Sequence, residues 1–381
     1  MKAKETGLGL YCHVPFCAST CDFCAFYQEK PHRKDLDRYL AGMEKELAWI
    51  QPDRPIDTVF WGGGTPGLLP ATDLKRLGEA VLEFAQQQPL EWTVEMAPST
   101  VKPDKLKLLR DLGVNRISMG VQSFQESFLE GLGRLHRPRQ IYQAYDWIRV
   151  AGFENVNLDL MIALPGQTVD DLKNDLEEVC RLDPEHLSAY CLTFEEDTAL
   201  WVKLSQGKIK QDIEKDADLY EFTWEFLTDA GYDHYEISNF SKPGFECVHN
   251  LNTWKMKEWI GIGPSAASQY RNIRYSNAAD LDVWLDQTES DVKNRCEVQL
   301  LTEADLLEDT IIFGLRMGQG ISLNELQQRF PQAPMEELRT FFVSLETDGL
   351  VTFENNDRAK LTLKGKLLAD KIAVEFLGLA G

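Results

Sequence analysis

Four of the eight cysteines, Cys12, Cys17, Cys21 and Cys24, fall within thirteen residues. Three of them read Cys17-Ala-Ser-Thr-Cys21-Asp-Phe-Cys24, a C-x3-C-x2-C spacing that puts three thiols on one short loop. Three thiolates so placed can bind three irons of a [4Fe–4S] cluster and leave the fourth iron without a protein ligand. An open coordination position is what a catalytic metal centre keeps. The alternative is zinc, which takes four ligands and would need Cys12 or His13 to complete the set. Neighbours on a strand point to opposite faces, so at most one of those two faces the loop. Cys180, Cys191 and Cys296 are scattered and read as ordinary buried thiols. The start, MKAKETGLGLYCHVPF, has no apolar signal core. A reducing, cytoplasmic compartment is expected, and with it free thiols in place of disulfides.

These groups need a frame. Segments 8–13, 57–61, 91–95, 114–120, 155–160 and 186–191 read as short strands, most followed by a helical pattern. After the cysteines, Leu36, Tyr39, Leu40, Met43, Leu47 and Ile50 recur at helical spacing. Further helices are expected over 73–88, 103–112, 138–150 and 169–181. Strand–helix alternation repeated six times predicts an α/β fold with a parallel sheet and right-handed crossovers. The run Gly62-Gly63-Gly64, Glu95, Gln122, Asp159 and the cysteines all lie at or beyond C-terminal strand ends. That is where a TIM-type barrel collects its chemistry, so a partial (β/α)6 barrel is expected.

The pattern divides the chain into a barrel over 1–205, a Gly- and aromatic-rich extension over 206–295, and a unit over 296–381. The last reads as three helices and a hairpin, the order of a winged helix. Residues 301–381 hold eight Lys and Arg against thirteen Asp and Glu. The whole chain carries a formal charge of −21. Both make a nucleic-acid partner a poor fit. With 43% hydrophobic and 27% charged residues, the composition excludes general disorder. No apolar run reaches the length of a membrane span.

The run Tyr11-Cys-His-Val-Pro-Phe-Cys17, continued by Cys21-x-Phe23-Cys24, resembles the signature of radical S-adenosylmethionine (SAM) enzymes. More narrowly, the chain is similar to the group containing oxygen-independent coproporphyrinogen III oxidase and its heme-chaperone paralogue. Supporting motifs follow in the family's order. They are Gly62-Gly63-Gly64-Thr65-Pro66, Gly120-Val-Gln122-Ser-Phe124, Leu132-Gly-Arg134-x-His136, Asn157-Leu-Asp159-Leu-Met and Leu164-Pro165-Gly-Gln167-Thr168. The resemblance implies that Cys17, Cys21 and Cys24 hold the cluster and that SAM chelates the open iron. Electron transfer then cleaves the sulfonium to a 5′-deoxyadenosyl radical, the cofactors carrying the hard chemistry. It further implies contacts to SAM from Tyr11, Gly63, Gly64, Thr65 and Glu95, with Phe23 against the adenine. Gln122, Arg134 and Asp159 belong to a second SAM-like site in the oxidase.

Two features separate the branches. The oxidase motif adds a cysteine two places after the third, and here that place is Phe26. The oxidase also has a long extension before its tyrosine, where this chain has ten residues. The chaperone branch carries H-N-x-x-Y-W, linked to heme binding. This chain reads Cys247-Val-His249-Asn250-Leu-Asn252-Thr253-Trp254, with Thr253 in place of tyrosine, and Ala25 where that branch has Asp. Cys247, His249, Asn250 and Trp254 are therefore the candidate heme residues, an imidazole or a thiolate being a known axial ligand. The expectation is a heme chaperone that passes heme to an acceptor protein and takes electrons from a donor. Homodimerisation and transient membrane contact during delivery are compatible with it. Coproporphyrinogen III oxidation is the alternative, and a zinc-containing winged-helix regulator is the alternative from another class.

Overall fold

The computed structural model describes residues 7–380. Residues 1–6, part of the start read above, lie outside the described residues. Six parallel strands form the centre of the molecule: β1 (Leu8–Val14), β2 (Ile56–Gly63), β3 (Glu91–Met96), β4 (Arg116–Gln122), β5 (Asn155–Ile162) and β6 (His186–Cys191). They pair in chain order. The crossovers carry α1 (Arg33–Trp49), α2 (Ala71–Ala85), α3 (Pro103–Leu112), α4 (Glu126–Gly131), α5 (Pro138–Val150) and α6 (Val169–Leu182). All six expected strands and five expected crossover helices are present, and the sheet stays open, a partial (β/α)6 barrel.

The strands explain the architecture through their alternation. Leu8, Leu10, Cys12 and Val14 on β1, Val59 and Trp61 on β2, and Trp92, Val94 and Met96 on β3 face the helices and are buried. Opposite them on α1 are Leu36, Tyr39, Leu40, Met43 and Leu47, also buried. Each such Leu or Met contributes about 1.5–3 kcal/mol of burial. The inward positions are different. Glu95, Arg116, Ser118, Asn157, Asp159 and Ser188 point to the concave side.

The stretch after β6 builds both flanks of the sheet. After α7 (Ala199–Ser205) and α8 (Ile213–Asp229), β7 (Asp233–Glu236) and β8 (Asn239–Ser241) add to β6. Then α9 (Val248–Trp254) leads to β9 (Trp259–Ile262), which runs parallel to β1. β10 (Ala267–Tyr270), β11 (Ile273–Ser276), α10 (Leu281–Glu289) and β12 (Cys296–Leu300) complete a twelve-stranded sheet. The aromatic stretch without a clear period thus holds strands too short to show one.

The C-terminal unit has its own core, centred on Ile311, Leu323, Phe342, Val351 and Ala359. It contains α11 (Glu303–Arg316), β13 (Ile321–Ser322), α12 (Leu323–Arg329), α13 (Met335–Thr347), β14 (Val351–Glu354) and β15 (Arg358–Leu361). The three strands form a small sheet, β13-β15-β14, the wing of a winged-helix-like domain. Arg316 joins it to the barrel through Glu236, at 3.3 Å.

One glycine at the end of β2 is demanded twice. Gly63 has φ of +103°, and a Cβ there would fall inside the His13 ring. Gly63→Ala should therefore lower stability by at least about 1–2 kcal/mol. A fall in melting temperature measures it; an unchanged one removes the constraint.

Candidate cofactor cavity at the C-terminal end of the barrel

The cysteine loop leaves β1 at Val14 and is stitched to its surroundings by backbone. Cys17 N–H donates to Glu29 O at 2.9 Å, Glu29 N–H to Pro15 O at 2.8 Å, and Asp22 N–H to Leu132 O at 2.9 Å. Lys203 holds the Asp22 carboxylate at 2.5 Å. These bonds turn all three thiols toward one cavity of about 690 Å³. Burial pushes the Cys17 and Cys24 thiols above the ordinary range. Thr65 Oγ1 lies 3.6 Å from Cys17 Sγ, and Arg134 Nη1 donates to Cys21 Sγ at 3.4 Å. Among the described residues no three His, Cys, Asp or Glu side chains converge as they would around a single ion.

The end of β2 lies against this loop. Gly64 N–H donates to Val14 O at 2.8 Å and Thr65 N–H to Phe16 O at 2.9 Å. A Cβ on Gly64 would sit 2.7 Å from Phe16 O, so only glycine allows the approach. Gly63, Gly64, Thr65, Phe23, Glu95, Gln122, Arg134 and Asp159 all line the same cavity as the three cysteines. Gln122 sits at a register shift between β4 and β5 with φ of +69°, a conformation costly for any residue but glycine. Arg134 Nη2 donates to Gly120 O at 2.7 Å, while its Nε is buried without a partner. Tyr11 does not reach the wall. Its hydroxyl meets His13 Nδ1 at 3.1 Å and its ring stacks on Phe60.

The two carboxylates differ in support. Burial, then repulsion from Asp159, pushes Glu95 up to about 8, against the pull of the Gly63 N–H. Burial also raises Asp159, but Asn157 Nδ2 at 2.7 Å and Ser118 Oγ at 3.4 Å donate to it. The network continues downward. Because Asn157 gives its NH2 to a carboxylate, its Oδ1 must accept from His186 Nδ1, at 2.7 Å. His186 Nε2 then accepts from the Tyr235 hydroxyl at 2.6 Å, and that oxygen accepts from Cys247 N–H at 3.3 Å. Burial, reinforced by Arg116, keeps His186 neutral, as this tautomer requires.

A model of the radical SAM superfamily matches residues 11–179, and a model of the HemN C-terminal domain matches residues 301–368. The heme chaperone HemW of Lactococcus lactis is 32% identical over 369 residues, spanning 96% of each chain. That of Bacillus subtilis is 32% identical over 377 residues, 97% of this chain and 98% of the relative. The chain belongs to the HemW family of radical SAM proteins. Among solved structures, the Escherichia coli coproporphyrinogen III oxidase HemN, a radical SAM enzyme, superposes with a TM-score of 0.85 at 26% identity. The match covers 97% of this chain and 89% of that one.

Within this HemW-family fold the 247–254 segment has an unexpected place. It closes the lower end of the barrel. Glu91 accepts from Val248 N–H at 2.8 Å, His249 N–H at 2.9 Å and the Cys247 thiol at 3.5 Å. His249 Nδ1 meets Thr58 Oγ1 at 3.0 Å, and its ring packs on Phe60. Burial pushes Cys247 up to about 12 and His249 down to about 4. The structure thus brings only Asn250 of the four candidate heme residues to the main cavity. Trp254 lies elsewhere, against Phe313 and Arg316 of the C-terminal domain, in a separate cavity of about 210 Å³. Sequence reasoning missed Arg116, Ser188 and Tyr190, and named Asn157 only as part of a motif. For the first three, only inward parity on strands already located could have singled them out.

The raised Glu95 sets a pH dependence. The unfolded chain loses this proton near 4.5 and the folded chain near 8, so folding holds the proton between those values. Stability should fall as pH rises through that window and level off above it. Without ligand, Glu95→Gln should abolish this part of the decline in denaturation midpoints. Parallel curves for both proteins would show that Glu95 ionises normally.

Proposed function

We propose that the cavity holds a [4Fe–4S] cluster on Cys17, Cys21 and Cys24 with SAM beside it, and that the protein binds heme for transfer to an acceptor protein. The observation that carries the reading is the convergence of three thiols and a glycine-rich strand end on one cavity. Full-length similarity to proteins named heme chaperones supports the second half. The donor set fits: three soft ligands on one loop, and beyond them carboxylates, amides and a guanidinium suited to an amino acid and a ribose. When bound, the cluster and SAM would supply one-electron chemistry.

The chain's own residues do the rest. Thr65 and the Gly63–Gly64 backbone position the methionine part of SAM against the loop. Glu95 receives its ammonium group. Phe23, packed with Leu132, Met161, Leu164 and Leu192, walls the adenine side. Asp159, oriented by Asn157 and Ser118, and Gln122 accept ribose hydroxyls. Arg134 places a positive charge beside Cys21. Tyr11 supports this arrangement from below through His13. Phe26, 72% exposed, takes the place of the oxidase's further cysteine. Heme uptake through His249 or Cys247 requires the 247–254 segment to leave Thr58 and Glu91. An external one-electron donor completes the scheme. No helix among the described residues is long and apolar enough to cross a membrane.

Anaerobic reconstitution tests the reading. The protein should turn brown and carry iron and sulfide, and Cys21→Ala should lose both. With SAM and coproporphyrinogen III no protoporphyrinogen IX should form, while bound heme should pass to an apoprotein acceptor. Formation of protoporphyrinogen IX assigns the chain to the oxidase branch instead. SAM binding near pH 7 should also release a proton from Glu95, because an ammonium favours the carboxylate. Calorimetry in two buffers of different ionisation heat reads this release, and Glu95→Gln should show none.

A further inference from the structure

The cavity leaves one cation without a partner. Arg116 is 2% exposed, and its Nε is buried with no acceptor. Among the described residues no ion pair or hydrogen bond engages its guanidinium, which faces the cavity. A buried charge in that condition is strongly unfavourable until something pairs with it. The nearby acids are committed elsewhere. Glu91 is taken by the first N–H groups of α9 and by the Cys247 thiol. Asp159 is taken by Asn157 and Ser118. Burial works against the Arg116 charge, yet the nearby Glu91 and Asp159 carboxylates favour it.

Its depth separates it from the cysteine loop. Arg116 is the first residue of β4 and Gln122 the last, about 20 Å of strand apart. Asn250, from the plug that closes the barrel, reaches the same cavity. Its side chain makes no hydrogen bond among the described residues.

We infer that Arg116 and Asn250 form a carboxylate receptor at the floor of the cavity. The guanidinium fork matches both oxygens of a carboxylate, and the Asn250 amide adds a further donor. The inference rests on the reading of this cavity as a SAM and heme site, and specifies which end of a ligand lies deepest. The propionates of heme supply the required carboxylates, since the methionine part of SAM lies up at the cysteine loop.

Reconstituted full-length wild type, Arg116→Gln and Asn250→Asp are titrated with heme and heme dimethyl ester. Heme should bind Arg116→Gln at least about tenfold more weakly, while the ester, which lacks the carboxylates, binds wild type and variant alike. Asn250→Asp puts a negative charge on the same floor. It should weaken heme and spare the ester, and it carries the test if Arg116→Gln does not fold. If heme binds the variants as it binds wild type, or heme and ester weaken equally, the receptor is overturned and the functional reading stands. Wild-type protein that does not bind heme overturns both.

Discussion

A polar interior in an apolar shell is the constraint on which this molecule depends. The same six strands that send Leu, Val, Ile and Trp outward to the helices send Glu95, Arg116, Asn157, Asp159 and His186 inward. A buried polar group is tolerated only with a partner. Much of the concave side therefore consists of side chains satisfying one another, from Asp159 through Asn157 and His186 to Tyr235. Two of the buried nitrogens left unsatisfied, Arg116 Nε and Arg134 Nε, belong to residues that border the cavity.

The open edge of the barrel has a second consequence. Six strands do not close on themselves, so the later chain flanks both edges of the sheet and α9 fills its lower end. The plug is held by polar contacts to Glu91 and Thr58, which can be exchanged for others more readily than a packed apolar face. Its lower part touches the C-terminal domain through Trp254, and its upper part touches the cavity through Asn250. The 247–254 segment is thus a physical link between the candidate cofactor cavity and the C-terminal unit. The Asp159–Tyr235 chain ends on the same segment at Cys247.

Much of this was legible in the residues. Strong helical spacing from Leu36 to Leu47 and short apolar strands bounded by Gly, Pro and Asn located the barrel, since both signals are local. The cysteine spacing was equally local, and the three sulfurs do line one cavity with Glu95, Gln122, Arg134 and Asp159. Strands β9 to β11 are only four residues each and were not legible, because no period can show over that length. Arg116 was passed over because an arginine at the start of a strand ordinarily reads as surface. Its burial follows from the parity of β4 within a curved sheet, which no local pattern reports.

By itself, then, the sequence determined the fold class and the spacing of the three thiols, because these depend on patterns along the chain. Tertiary structure decided what lies beneath. His249 and Cys247 read as free candidate ligands, yet they pair with Thr58 and Glu91 from strands more than 150 residues earlier. Whether a titratable side chain is a ligand, a plug or an unpaired cation depends on which distant groups share its desolvated space. That is a property of the curved sheet's interior, and only the assembled barrel supplies it.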